Sequence, residues 1–221
     1  MRPDAVLKIG GSLGRHASLT FLCKEVSRLG AQHRLLVVPG GGEFADQVRD
    51  ACRRYDLKET AAHCMALLAM DQYGYLLNSL IARSCLTADL LSSCRAAESG
   101  KAVILLPSAP VIRADPLPHS WEVTSDTIAA WVAQRTHCRR LILLKDVDGL
   151  LAGEREIIEE LTVAQLATHS GGVDPYLSRF LASAKLETWV INGLRPERLS
   201  ELLETARTTG TRIRKELSGN P

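Results

Sequence analysis

A lysine stands near the end of an apolar run, where a buried strand would hold it: Ala5-Val6-Leu7-Lys8-Ile9 leads straight into Gly10-Gly11-Ser12. A buried ammonium is costly unless an anion meets it, so Lys8 predicts an anionic partner or ligand at that point. The two glycines let backbone approach a ligand closely, and amides in such a turn attract phosphate oxygens. No lysine follows at the spacing of the GxxxxGK[ST] loop, so this is not that loop. A second glycine run, Gly40-Gly41-Gly42, follows the apolar residues 35–38 and Pro39. Alone it reads equally as turn geometry or as a cradle. A right-handed βαβ crossover would put both turns at one edge of a parallel sheet, where the second opens a helix with free N–H groups.

The third chemical segment is residues 119–149, HSWEVTSDTIAAWVAQRTHCRRLILLKDVDG. Thr124 and Ser125 are good N-cap residues, Asp126 falls in the first helical turn, and Ile128, Trp131 and Val132 form an apolar stripe. Residues 141–144 are a short all-apolar strand running into Lys145-Asp146-Val147-Asp148-Gly149. Ligands of open parallel sheets lie beyond the carboxyl ends of strands, so the two ends of this segment are predicted to meet at one site. Asp71, an acid on an otherwise apolar helical segment, needs either a protein partner or a ligand. His63 and Cys64 read as packed residues and His16 as a solvated loop residue.

Residues 5–9, 35–38 and 102–106 read as strands. A helix carries Leu19, Leu22, Val26 and Leu29 and stops at Gly30; another carries Phe44, Val48, Ala51, Cys52 and Tyr55; residues 59–83 form a long helical stretch. Prolines 107, 110, 116 and 118 argue against a regular helix between residues 107 and 118, and a boundary there separates lobe 1–115 from lobe 116–221. Residues 154–158 suggest a short strand or hairpin, and Thr162 caps a short helix to Thr168. The 170–175 loop leads to a helix with Leu177, Phe180, Leu181 and Ala184. Residues 188–191 are the last strong strand, Pro196 starts a helix, residues 208–214 read as an edge strand, and the tail after Glu216 reads as disordered.

Composition narrows the function. With 221 residues, 46% of them hydrophobic, the chain can bury a substantial core. Twenty-seven basic against 25 acidic residues leave a charge of +2 without a dense basic run, which argues against nucleic acid. No uninterrupted apolar stretch reaches the ~18 residues of a membrane span, and the N-terminus lacks a signal-like apolar region; the expectation is a cytoplasmic protein with no membrane partner. Six scattered cysteines with no CxxC spacing read as ordinary thiols.

Taken together, KIGGS, VVPGGG, VTSDTIAA, LLKDVDG and a terminal GT resemble the amino acid kinase superfamily, in order and over nearly the whole chain. The resemblance implies an α/β fold: a three-layer α/β/α sandwich of carbamate kinase-like architecture around a mainly parallel sheet. It implies an acceptor on lobe 1–115, ATP on lobe 116–221, Mg²⁺, a small-molecule substrate and a homo-oligomer. HSWEVTSDTIA, LLKDVDG, GGVDPYL and VINGLRPERL further resemble the branch that serves methanofuran biosynthesis, whose acceptor is an aminomethylfuran-methyl phosphate and whose product is a diphosphate. Acetylglutamate kinases carry a catalytic lysine in a GGM-x-x-K segment; Tyr176 occupies that position here, and Lys145 stands where uridylate kinases place a lysine instead. On this resemblance Lys8, Asp126 and Lys145 are catalytic; Gly10, Gly11, Ser12, Asp146, Asp148 and Gly149 serve the nucleotide; Gly40, Gly41, Gly42, Asp71, His119, Trp121 and Asp174 serve the acceptor. Trp121 reads either as a stacking face or as interface packing. The rival readings are an acyl-phosphate-forming amino acid kinase and a non-catalytic anion-binding or storage protein on the same fold, which would not need paired lysines.

Overall fold

The central strands are dominated by apolar residues, as in LLVVP and AVIL, because both faces of the sheet are covered. The computed structural model describes residues 2–153 and 156–215. In chain order the elements are β1 (Ala5–Ile9), a 3₁₀ turn (Gly11–Arg15), α1 (Leu19–Leu29), β2 (Leu35–Pro39), α2 (Gly42–Tyr55), α3 (Glu59–Leu80), β3 (Ser84–Thr87), α4 (Leu90–Ala96), β4 (Ala102–Leu105), α5 (Ser108–Ala114), α6 (Ser125–Arg135), β5 (Arg140–Lys145), β6 (Leu151–Ala152), β7 (Glu156–Ile157), β8 (Glu160–Thr162), α7 (Val163–Thr168), α8 (Leu177–Ser183), β9 (Glu187–Asn192), α9 (Glu197–Thr205) and β10 (Thr211–Arg214).

One sheet has the order β3-β4-β2-β1-β5-β9-β10-β8. Its first six strands are mutually parallel, and β10 runs antiparallel to β9. The half before residue 106 meets the half after residue 139 along β1–β5, where Lys8 lies opposite Leu143. Val6, Leu36, Val38, Leu141, Leu143 and Val190 pack in the cluster that contains α6, whereas Leu7, Ile9, Val37, Ile142, Leu144 and Ile191 pack with α1 and α9. Side-chain alternation along β1 therefore puts Lys8 on the α6 side. Each such buried aliphatic side chain contributes about 1.5–3 kcal/mol, so this layer order is strongly held. Residues from Asp126 to Ala133 are all buried, so α6 is enclosed nearly all round rather than along a single stripe.

Several expectations need correction. Residues 108–114 are helical: Pro107 precedes the helix and Pro110 lies in its first turn, where a missing N–H removes no intrahelical bond. The residue-208–214 segment yields β10, which is covered on its outer side by β8; the short β8 is the true edge. Strand β3, helix α4 and strand β8 escape sequence reading because they are short and mostly half-buried or exposed. Glu154 and the tail after Glu216 lie outside the described residues. All six cysteines are free, Cys23 and Cys138 being buried and the others half-buried.

The two glycine turns lie against each other at the sheet's carboxyl edge. A Cβ on Gly11 would stand 2.0 Å from the Gly42 nitrogen, and one on Gly40 would stand 2.5 Å from the Gly11 nitrogen. Gly42 also has φ +55°, a conformation that side-chain-bearing residues rarely adopt. Gly10 N–H donates to the Leu144 carbonyl at 2.8 Å, and Gly40 N–H donates to the Ile9 carbonyl at 2.8 Å, which stitches β1, β2 and β5 at this edge. These clashes involve backbone and offer no flexible side chain to yield. Gly11→Ala is therefore expected to lower stability by more than ~2 kcal/mol, read as a reduced urea midpoint with an unchanged m-value; a midpoint equal to wild type would show that the turns are not interlocked.

Candidate active site

Because Lys8 and α6 share one face of the sheet, the first turn of α6 brings Asp126 onto the lysine. Lys8 Nζ lies 2.9 Å from Asp126 Oδ1, and Lys145 Nζ lies 2.6 Å from Oδ2. The three side chains are 6%, 2% and 16% exposed respectively, so two ammoniums share one carboxylate with little water between them. One positive charge is left in excess. Asp126 Oδ1 faces Lys8 as an ion pair without a hydrogen bond of good angle, while Oδ2 accepts from Lys145 and, at 3.2 Å, from the Asp174 backbone N–H. Burial alone would push the Asp126 carboxyl up, but the Lys8 and Lys145 ammoniums outweigh it and hold it below the usual carboxylate range. Burial pushes the Lys8 ammonium down from its ordinary value, with Asp126 opposing and Lys145 adding to the effect. Asp126 is thus the one anionic partner that both lysines share in a nearly dry place.

Asp174 secures that arrangement from the 170–175 loop. Its Oδ2 accepts from Thr124 N–H at 3.1 Å, Thr124 Oγ1 at 3.0 Å and Thr127 N–H at 2.9 Å; its Oδ1 accepts from Thr127 Oγ1 at 2.6 Å. Thr124 occupies the N-cap position but caps nothing with its own side chain; Asp174 does so from fifty residues away. A carboxylate at a helix N-terminus is favoured by the local dipole. Burial, then the neighbouring Asp126 charge, raise the Asp174 carboxyl above its ordinary value, against the pull of its hydrogen bonds.

A cavity of about 530 Å³ opens over this charged group. Lys8, Gly10, Gly11, Ser12, Gly41, Gly42, His119, Trp121, Asp126, Lys145, Asp146 and Asp174 all lie on its wall, so most of the sequence-selected residues converge. Gly41 and Gly42 stand where α2 begins, and the first-turn amides of a helix have no intrahelical acceptor. Four selected residues are placed elsewhere. Gly40 lies beneath Gly11, filling the turn contact rather than the wall. Asp71 is on α3 but accepts from the Ser108 amide at 3.1 Å and from its hydroxyl, which holds α5 against α3. Asp148 accepts from Asn192 Nδ2 at 2.9 Å and from Arg198 at 2.5 Å, which fixes the β5 loop to α9. Gly149 makes room for Thr211 Oγ1 and Ile157, each 2.8 Å from where its Cβ would be.

Sequence reading missed Arg15, Asp46, Arg49 and His63, all on the cavity wall. Asp46 takes Arg15 at 2.5 Å on one oxygen and Arg49 at 2.9 Å on the other, while the Arg49 guanidinium lies 4.8 Å from the Trp121 ring centre. Both readings of Trp121 are thereby narrowed, since its ring joins the 119–123 segment to α2 across the cavity. His119 bonds Asp115 Oδ1 at 2.8 Å and Thr60 Oγ1 at 3.2 Å with its two ring nitrogens, and stacks on His63 with centroids 4.3 Å apart. The i, i+3 spacing of Asp46 and Arg49 was the available signal; the stacking across elements had none.

A parallel α/β sheet whose first two strand-to-helix turns are glycine-rich, with an excess of buried positive charge beyond its carboxyl edge, defines a protein that handles phosphate. The chain belongs to the amino acid kinase family, which matches residues 5–192, and it is a phosphotransferase. It is 30% identical over 217 residues to [5-(aminomethyl)furan-3-yl]methyl phosphate kinase of Methanocaldococcus jannaschii, covering 94% of this chain and 96% of that one. It is 24% identical over 234 residues to uridylate kinase of Methanospirillum hungatei, covering 96% and 94%. Its fold is similar to that of the uridylate kinase crystal structure from Archaeoglobus fulgidus, with TM-score 0.75, 20% identity and coverage of 96% and 100%.

The Asp126 carboxyl is lowered in the folded state, so its ionisation stabilises the fold above the unfolded-state value near pH ~4, and that contribution fades as pH falls below it. Asp174, raised in the folded state, contributes with the opposite sign. Asp126→Asn is therefore expected to cost on the order of 3 kcal/mol at pH 7, because both lysines lose their carboxylate. It should also flatten the acid limb of Tm between pH ~4 and ~2.5. Parallel acid limbs for variant and wild type would refute this.

Proposed function

We propose that this kinase transfers the γ-phosphoryl group of ATP to a small amine-bearing phosphate monoester, [5-(aminomethyl)furan-3-yl]methyl phosphate or a close analogue, and forms a diphosphate. The observation that carries this reading is the net positive Lys8–Asp126–Lys145 group, buried beside two glycine turns and fed by cations from both halves of the sheet. An oxygen of the acceptor phosphate attacks the γ-phosphorus, the bond from that phosphorus to the β,γ-bridging oxygen breaks, and ADP leaves with the electron pair. Such a transfer needs positioning and neutralisation of charge more than covalent help from protein. Lys8, with the Gly10 and Gly11 amides, holds the transferring group; Lys145 offsets charge arising on the leaving β-phosphate; Asp126 positions both lysines. Ser12 and Asp146 flank the nucleotide, with the acceptor on lobe 1–115 and ATP on lobe 116–221. Gly41, Gly42, Arg15 and Arg49 supply donors for the acceptor's own phosphate.

The cavity wall includes Gly172 to Pro175 and ends short of Tyr176, so that loop brings no cation to the site. On the resemblance read from the sequence, this favours a phosphate acceptor over the carboxylate acceptor of an acyl-phosphate-forming kinase. The lysine pair argues against a storage protein. Among the described residues no group of three or more His, Cys, Asp or Glu side chains is gathered to hold a metal ion, and Asp126 and Asp174 are committed to lysines and amides. Mg²⁺ would accompany the nucleotide phosphates and offset their charge. No helix among the described residues is long and apolar enough to cross a membrane. Met65, Leu68, Tyr75 and Leu76 form an exposed apolar stripe on α3, which supports a homo-oligomer.

Lys145→Met is expected to lower kcat by on the order of 10²-fold with a much smaller rise in the KM for ATP, as for a contact that strengthens in the transition state. A kcat within threefold of wild type would remove Lys145 from this role. Chemistry of the product separates the two acceptor classes: hydroxylamine traps an acyl phosphate as a hydroxamate and leaves a diphosphate intact. Incubation with ATP, hydroxylamine and either aminomethylfuran phosphate or N-acetylated and free amino acids should give ADP and diphosphate from the furan alone. Hydroxamate from an amino acid, without turnover of the furan phosphate, would replace this reading by the acyl-phosphate one.

A further inference from the structure

One face of the first half of α3 lines the cavity: Met70, Leu67, Ala66, His63, Ala62 and Glu59 recur at helical spacing. The face grades in both burial and polarity. Met70 and Leu67 are 3% and 1% exposed, His63 is half-buried, and Glu59 is exposed at the helix start. At 1.5 Å per residue, the rise from Met70 to His63 is about 10 Å and to Glu59 about 16 Å. An acceptor with its phosphate at the glycine turns and its ring on the apolar part of this face would direct its far end toward His63 and Glu59.

Three of the other four carboxylates of the cavity are engaged by protein donors. Asp126 serves two lysines, Asp174 takes four donors from Thr124 and Thr127, and Asp46 holds Arg15 and Arg49. Asp146 belongs to the β5 loop beside Lys145, at the nucleotide end. Glu59 is a cavity carboxylate to which no protein donor is bonded among the described residues. His63 likewise bonds to nothing through its ring nitrogens, whereas His119 has both nitrogens engaged by Asp115 and Thr60 and holds the His63 ring flat by stacking. Burial, then the proximity of His119, lower the His63 imidazolium from its ordinary value, with Asp115 opposing; a neutral ring accepts a hydrogen bond and does not repel a cation.

We infer that Glu59 and His63 form the subsite for the acceptor's cationic end, the ammonium pairing with the Glu59 carboxylate and donating to a ring nitrogen of His63. Asp71 and Asp174 are not its partners, and His119 acts as a positioning residue for His63. The inference rests on the acceptor class proposed above and deepens it: selectivity for an amine is set at the first turn of α3, far from the transferring phosphoryl group.

The test compares the aminomethyl acceptor with its hydroxymethyl analogue, in wild type, Glu59→Gln and His63→Ala, by steady-state ADP release. The ratio of kcat/KM for the amine over the alcohol is expected to fall about tenfold in Glu59→Gln, as for loss of a hydrogen-bonded charge partner, and severalfold in His63→Ala. Glu59 also sits favourably at a helix N-terminus, and a purely structural role there would depress both acceptors alike. An unchanged ratio in Glu59→Gln, with wild type active on the amine, overturns this subsite and leaves the proposed reaction standing. Absence of turnover by wild type on either furan acceptor overturns the reaction and the subsite together.

Discussion

Two lysines from different strands share one buried carboxylate, and much of this molecule is built to make that tolerable. A lone ammonium at the Lys8 position would be driven to deprotonate, and a lone Asp126 would be driven to take up a proton; each keeps the other charged. The sum is still one positive charge too many for the protein alone. Buried ion pairs are weak sources of stability against a well-packed apolar core, and the proposed reaction would use the surplus charge to hold an incoming phosphate. The constraint reaches into the sheet order: only with β1 and β5 adjacent and parallel do Lys8 and Lys145 end beneath the same helix turn.

Holding Asp126 in place requires its helix to begin at a fixed point, and Asp174 fixes it. Four donors from Thr124 and Thr127 converge on one carboxylate, while the amide of Asp174 itself donates to Asp126. The 170–175 loop is therefore tied both to the helix and to the charge it carries. On the other side the glycine turns are packed backbone against backbone, which leaves no space for side chains between the two strand ends and no slack in the position of their amides. Charge and donors are thus preset before any ligand arrives, the condition under which electrostatic stabilisation costs little reorganisation.

The cavity walls divide the work. The sheet edge supplies cations and amides, α2 supplies Arg15's partner Asp46 together with Arg49, and α3 supplies a surface that is apolar at depth and polar at the mouth. The opposite face of α3 exposes Met65, Leu68, Tyr75 and Leu76, so a single helix lines the cavity on one side and leaves an apolar stripe on the other. Helical periodicity separates these two faces within one sequence segment.

The chain by itself determined the layered parallel sheet, because continuous apolar runs have no other way to bury both faces. It determined the glycine turns and the anomalous lysine near the end of β1, because local chemistry makes those residues costly anywhere else. Lys8, Asp126, Lys145, Gly11 and Gly42 were legible for that reason. What tertiary structure alone decided are the partners. Asp71 and Asp174 look alike in sequence, as acids needing company, yet one holds α5 and the other caps α6 across fifty residues. His119 is engaged at both ring nitrogens and His63 stacks on it, because the hydrogen bonds to Asp115 and Thr60 link segments that sequence spacing does not relate. Pro110 could enter a helix because of where that helix starts, and β10 found a neighbour in β8. Each of these depends on which distant donor, ring or strand arrives at a given side chain, and that is a property of how the layers close, not of the residue or its near neighbours.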